Sequence, residues 1–175
     1  MGKVLGSMDN EQEESSLNVN SNSTIRKVNP ADVQDLKGVI DSSELFPSEL
    51  LDEMITDYFN NPLSEDIWLT KDEEGIPVTV AYCAPEKMTD GTYNLYLIAV
   101  RKEYQGNGIG AEMMSHIEEL LREAGHRVLI VETSGLPEFK LTREFYNKCG
   151  YAREAVIRDF YQEGEDKVVF WKKLN

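Results

Sequence analysis

Leu95-Tyr96-Leu97-Ile98-Ala99-Val100, then Arg101-Lys102-Glu103-Tyr104 and Gln105-Gly106-Asn107-Gly108-Ile109-Gly110-Ala111, is the stretch whose reading decides the fold. The first six residues read as a strand and the glycines as a tight loop. From Ile109, apolar residues recur at helical spacing through Met113, Ile117, Leu120/Leu121 and Ala124. A helix is therefore expected to open directly on the loop, with Gly125 as the left-handed residue after its end. The start of a helix leaves N–H groups without internal partners and sets the positive end of the dipole beside them, which makes a phosphate site. Gly106, Gly108 and Gly110 either admit an anion close to the main chain or take up φ/ψ values that other residues avoid. A tight turn with no ligand would use the same residues.

Outward from this stretch, Ile25 to Val28 reads as a short strand, and Asn29-Pro30 caps a helix carrying Val33, Leu36 and Val39/Ile40 to about Asp41. A second helix is expected over about Pro47 to Phe59, with Leu50, Leu51, Met54 and Tyr58 on one face, ended by Asn60-Asn61-Pro62. Strands Ile67 to Lys71 and Ile76 to Ala84 follow, joined at Gly75, and the loop MTDGT leads into Tyr93 to Val100. Downstream, Val128 to Val131 is a continuous apolar run, expected to be buried on both faces. Then come a helix from about Lys140 to Lys148, ended by Gly150, and strands at about Ala152 to Phe160 and Val168 to Lys173. This is an α/β plan with a mixed sheet.

The chain has 175 residues and a net charge of −14, enough for one domain with a core. Residues 1–24 are polar and lack periodic apolar positions, so they are expected to be a disordered acidic tail ahead of a folded domain over 25–175. The opening MGKVLGSMDNEQEESS has no apolar core and is not expected to act as a secretory signal. Gly6 stands where a myristoylation signal needs Ser or Thr. No apolar run reaches the roughly 20 residues that cross a bilayer, and the acidity disfavours nucleic acid and anionic membranes. Cys83 and Cys149 lack metal-ligand spacing and read as reduced core thiols, hence an expected cytoplasmic location and no metal.

Two phosphate-binding patterns compete for the loop. No Gly-Lys-Ser/Thr follows, which excludes a P-loop. Gly106-x-Gly108-x-x-Ala111 formally matches a dinucleotide fingerprint, with Glu132 near the ribose-binding position, but antiparallel strands precede it and a hairpin ends the chain. Gln105-x-x-Gly108-x-Gly110 after LYLIAV instead resembles the acetyl-CoA pyrophosphate loop of the GNAT superfamily of N-acetyltransferases. Downstream, Phe145-Tyr146-Asn147-Lys148-Cys149-Gly150-Tyr151 is similar to that family's FYxxxGF segment, with Tyr151 for the final Phe. The resemblance runs from about Ile25 to Leu174.

The resemblance implies the GNAT acyl-CoA N-acyltransferase fold: a central mixed, mostly antiparallel sheet splayed in the middle and flanked by helices. It implies acetyl transfer from acetyl-CoA to a primary amine, on a small molecule or a protein, by direct attack in a ternary complex. The pantetheine arm would lie along Ile98, Ala99 and Val100. The diphosphate would lie on Gln105, Gly106, Asn107, Gly108, Ile109, Gly110 and Ala111. Tyr146 matches the general acid, the alternative being a core aromatic. Glu132 is similar to the Glu that some members use as base; it could equally accept loop N–H groups or anchor a charged substrate. Many relatives carry an Asn seven residues before the Tyr; Phe139 stands there, so the protein-N-terminus specificity of the branches that keep the Asn is not carried over. Glu112, Glu118 and Glu119 are expected on a solvated helix face, and His116 and His126 in surface or capping positions. The segment 158–167 has no assigned role, and a homodimer stays open. Two rivals differ in class: a non-catalytic acyl-CoA sensor, and a partner-binding protein acting through its acidic surface.

Overall fold

The computed structural model describes residues 25–175, so the expected tail over 1–24 lies outside the described residues. The strands are β1 (Ile25–Lys27), β2 (Ile67–Glu73), β3 (Ile76–Pro77), β4 (Thr79–Pro85), β5 (Thr92–Val100), β6 (Val128–Ser134), β7 (Ala152–Gln162) and β8 (Glu165–Lys173). The helices are α1 (Val33–Ser43), α2 (Leu50–Met54), α3 (Thr56–Asn60), α4 (Ile109–Glu123) and α5 (Lys140–Lys148). They build one sheet in the order β1-β2-β4-β5-β6-β8-β7, with β3 paired to β2. Each pairing is antiparallel except β5 with β6, and α4 supplies the crossover that a parallel pair requires.

The N-terminal elements form where the local chemistry directs. Asn29 accepts from the Ala31 N–H at 3.0 Å, and Asp32 accepts from the Asn29 N–H at 2.8 Å, closing a capping box on the turn that feeds α1. The expected helix over Pro47 to Phe59 is instead two short ones, broken at Ile55. Its inward face also differs: Leu51 and Ile55 are buried, whereas Leu50 is 48% exposed. The expected strand Ile76 to Ala84 is interrupted at Val78, because Pro77 has no N–H to add to a ladder.

Two cores lie on opposite faces of the sheet. One joins Leu95, Leu129, Val131 and Phe170 to Met113, Ile117 and Leu121 of α4. The other joins Trp68, Val80, Leu97 and Ala99 to Leu36, Val39 and Ile40 of α1. Leu95 and Leu97, two apart, belong to different faces, although strand alternation would put them on the same one. The register accounts for this. Tyr82 pairs with Leu97 and Cys83 with Leu95, so Tyr96 is an extra residue in β5, and the bulge inverts the alternation beyond it. β6 is not buried on both faces: Leu129 and Val131 are buried, while Val128 and Ile130 are half-buried, because α1 lies over β4 and β5.

Glu118 also departs from expectation. It is 7% exposed, accepting from Tyr151 Oη at 2.9 Å and Lys172 Nζ at 2.7 Å. The hydroxyl that Tyr151 brings into the core needs an acceptor, and α4 supplies it. Glu112 is half-buried and pairs with Lys71 at 2.5 Å, while Glu119 is exposed. His116 is half-buried, and the His126 ring packs 4.5 Å from that of Tyr93. Cys83 and Cys149 are free thiols, and burial pushes the Cys83 thiol up to about 12.

Candidate functional site

Beyond Val100 a 3-10 turn, Lys102–Tyr104, delivers the chain into the glycine loop. The three glycines serve different ends. Gly106 and Gly108 have φ of +79° and +80°, and a Cβ on either would meet nothing within 4 Å, so backbone conformation demands them. At Gly110 the demand is space, since a Cβ would lie 3.3 Å from Phe145 Cζ, where α5 packs on the first turn of α4. The first bond of α4 runs from the Glu112 N–H to the Gly108 carbonyl at 3.0 Å. Among the described residues, the main-chain N–H groups from Gly106 through Ala111 have no acceptor. They lie at the positive end of a 15-residue helix. Gln105, Gly106, Asn107, Gly108 and Ala111 are exposed, whereas Ile109 is buried beneath them.

Beside this loop the sheet opens. β5 and β6 pair from Thr92↔Val128 to Leu95↔Val131 and then part. β5 continues against β4 as far as Val100↔Thr79, and β6 against β8 as far as Ser134↔Lys167. The extra residue at Tyr96 sits where the two strands diverge, and a bulge strengthens local twist. Ile98, Ala99 and Val100 thus line one side of the gap and Glu132 the other. The Arg101 N–H bonds to the Val78 carbonyl at 2.8 Å, which fixes the alternation: Ala99 turns its backbone groups to β4, and Ile98 and Val100 turn theirs to the gap. Gln105 Nε2 donates to the Val100 carbonyl at 2.9 Å.

Tyr146 belongs to the core on the α4 side of the sheet, and Glu132 lies on the opposite face. Tyr146, on α5, is 4% exposed and packs against Phe170 at 5.5 Å and Tyr151 at 6.1 Å between ring centroids. Its hydroxyl has no hydrogen-bond partner among the described residues, and burial holds its pKa above the ordinary phenol range. Glu132 follows Val131 and so lies on the other face. It is half-buried and ion-paired with Lys167 at 3.1 Å. The Lys167 ammonium in turn sits 3.6 Å from the Phe160 ring centroid. Burial, then a hydrogen bond to Glu86, raises the Tyr96 pKa to about 12, and Glu132 adds to that shift. Glu132 likewise acts on Tyr161, whose pKa is raised first by burial.

Phe160, Tyr161 and Lys167 lie in the segment 158–167, to which the sequence assigned no role, and Tyr96 was not expected in the site. Lys167 is only 8% exposed, although the sequence marks it merely as the residue before the apolar run Val168-Val169-Phe170. A cavity lined by Val28, Tyr58, Trp68, Leu120 and Ala124 lies at the opposite end of α4 from the glycine loop and is separate from this site. Among the described residues no group of three or more His, Cys, Asp or Glu side chains is placed to hold a metal ion, and no helix is long and apolar enough to cross a membrane.

Comparison with known proteins places this geometry. The family model of the acetyltransferase (GNAT) domain matches residues 64–153, a little over half of the chain. An uncharacterized N-acetyltransferase of Methanocaldococcus jannaschii is 30% identical over 86 residues; the match takes in 47% of this chain and 53% of the relative, so the chain spans about half the length of that relative. A crystal structure assigned to the GNAT family, from Desulfovibrio desulfuricans, superposes with a TM-score of 0.81 at 28% identity, covering 86% of this chain and 98% of that one. The ribosomal-protein-S18-alanine N-acetyltransferase of Escherichia coli shares the fold, with a TM-score of 0.69 at 18% identity over 87% of this chain and 94% of its own. An aminoglycoside 6′-N-acetyltransferase solved with coenzyme A does so as well, with a TM-score of 0.71 at 16% identity over 86% and 97% of the two chains.

Proposed function

This chain belongs to the GNAT family of acetyltransferases, and from that premise we propose that it carries the acetyl group of acetyl-CoA to a primary amine by direct attack, both substrates being bound together. The observation that carries the reading is the run of N–H groups from Gly106 to Ala111 without acceptors among the described residues, beside a gap between β5 and β6. These amides fit a diphosphate, and the backbone groups of Ile98 and Val100 fit an arm that lies in the gap as an added strand.

Acetyl-CoA brings an activated acyl group on a sulfur leaving group; the residues of the chain orient it and move protons. A main-chain N–H at the gap polarises the acyl oxygen. Tyr146 keeps its proton at neutral pH and supplies it to the departing sulfur. Glu132, on the other face, takes a proton from the attacking amine directly or through water, with Lys167 holding the carboxylate in place. Acid and base are thus kept apart by the sheet itself, and neither neutralises the other. The free thiols Cys83 and Cys149 fit work in the reducing cytoplasm.

Thermal unfolding with and without acetyl-CoA tests the reading. At about 100 times its Kd, acetyl-CoA is expected to add ~2.7 kcal/mol of stability, whereas a nicotinamide dinucleotide adds none. No shift with acetyl-CoA, and no release of free coenzyme A across a panel of amines, would sink it.

A further inference from the structure

On the face of the sheet opposite α4, the residues just before the gap form a polar cluster that the proposed transfer does not use. Tyr93 and Leu95 belong to the core beneath α4, so Asn94 between them faces the other way, as does Glu132 next to Val131. Asn94 Nδ2 and Tyr96 Oη both donate to Glu86 Oε1, at 2.8 and 3.0 Å. Glu86 is half-buried, yet no cationic side chain pairs with it among the described residues. Asn94 is 1% exposed, and its Oδ1 has no hydrogen-bond partner among the described residues, which leaves a buried acceptor beside the carboxylate. An unmet buried acceptor costs free energy that a donor on a ligand recovers.

The sheet sets this cluster at a fixed distance from Glu132. Asn94 pairs with Ile130 where the strands are still joined, and Glu132 lies two residues further along β6, about 7 Å at the rise of a strand. Tyr96 stands between the two carboxylates, donating to Glu86 and feeling the charge of Glu132. Its ring stacks on that of Tyr82 at 5.6 Å, and Tyr82 stacks on Trp68 at 4.2 Å, while Tyr96 stays 51% exposed. A carboxylate, a spare acceptor and the open side of a fixed aromatic ring suit an alkylammonium, which brings several donors and a charge that the ring attracts. The net charge of −14 favours the approach of such a cation. We infer that the acceptor is a diamine: one nitrogen, unprotonated, enters the gap beside Glu132, while the second, protonated, is held by Glu86 and Asn94 over the closed part of the sheet.

The inference rests on the acetyl-transfer reading and gives it a substrate class. The attacking nitrogen bonds to the acyl carbon as the carbon–sulfur bond breaks. Its proton passes to Glu132 and the sulfur receives one from Tyr146, with solvent returning the proton from one side chain to the other. The products are a mono-acetylated diamine and free coenzyme A; the second ammonium takes no part in the bond changes. The two ends of the site are unlike, because Lys167 already pairs with Glu132 while Glu86 has no cation of its own among the described residues. A monoamine of the same length leaves both Glu86 and Asn94 Oδ1 unmet, and a site built to bind a polar group rejects the analogue that lacks it.

The test compares 1,4-diaminobutane, whose nitrogens lie about this far apart when extended, with butylamine as acceptor for the full chain, read as free coenzyme A released. The kcat/KM for the diamine is expected to exceed that for butylamine by about tenfold or more. Calorimetry of 1,4-diaminobutane and of butylamine against the protein saturated with free coenzyme A reads the same preference without turnover. Glu86→Gln keeps an oxygen for Asn94 and Tyr96 but removes the charge, and should raise the KM for the diamine about tenfold, towards that of butylamine. Glu86→Lys sets a cation where the second nitrogen belongs, and should turn the preference towards 4-aminobutanoate. A diamine no better than butylamine, with coenzyme A released from both, overturns the inference and leaves acetyl transfer standing. So does a Glu86→Gln protein that retains the acetyl-CoA thermal shift together with an undiminished preference for the diamine. No thermal shift with acetyl-CoA and no coenzyme A released with any amine sinks the transfer reading itself, and the diamine with it.

Discussion

Glu118 and Glu132 are both carboxylates beside a lysine, and their surroundings give them different work. Glu118 is enclosed by Tyr151 and Lys172, with Lys172 also donating to the Cys149 carbonyl at 2.8 Å. That cluster ties α4 to β8 and to the end of α5, and the Tyr151 N–H donates to the Tyr146 carbonyl at 3.0 Å. Glu118→Ala should therefore cost about 1–3 kcal/mol in urea unfolding, by stranding two donors. Tyr151→Phe should cost less, because Glu118 keeps Lys172. Tyr146→Phe, by contrast, should cut kcat by about 10²–10⁴ while the KM for acetyl-CoA changes little. In the proposed mechanism the acid form is the working form of Tyr146, and burial raises its pKa. Its loss on the alkaline side of the kcat–pH profile should thus fall above the ordinary phenol value of about 10, with no decline due to this group below it. A wild-type decline near neutrality that disappears in Tyr146→Phe would contradict the assignment.

The bulge in β5 and the glycine loop after it do at the level of elements what no single side chain could. Both cores draw on β5, and Tyr96 turns the strand over between Leu95 and Leu97. The run LYLIAV announces that both faces are buried, which is why the strand was legible. The bulge was not, because a continuous apolar run carries no alternation whose reversal could be seen. The break at Ile55 was hidden for a similar reason, since Leu50, Leu51, Met54 and Tyr58 satisfy helical spacing whether or not the helix is continuous. The glycines permit a sharper test. Gly108→Ala should lose about 1–2 kcal/mol from the left-handed backbone alone. Gly110→Ala should lose stability through its contact with Phe145, and a second change, Phe145→Leu, should recover part of it. The same Phe145→Leu should do nothing for Gly108→Ala. Equal recovery in both would show that the two glycines are not kept for different reasons.

Across the whole molecule, the sheet is a wedge: joined from Thr92↔Val128 to Leu95↔Val131, then open, with Tyr146 packed on one face and Glu132 on the other. The motifs around Gly108 and Tyr146 made the fold and the loop legible, because each depends on residues close in sequence. Lys167 beside Glu132 was not legible, since that contact exists only once β8 lies against β6. Burial of Glu118 was missed because helical position alone leaves it at the border of the α4 stripe; only the tyrosine at position 151 explains why it turns inward.

The central claim is that the amides from Gly106 to Ala111 receive a diphosphate, and amide NMR during titration measures this directly. With coenzyme A, the resonances of Gly106–Ala111 and of Ile98 and Val100 are expected to shift together. With pantetheine, which lacks the diphosphate, only the strand resonances should move. Saturable binding of coenzyme A that leaves Gly106–Ala111 unmoved would contradict the account.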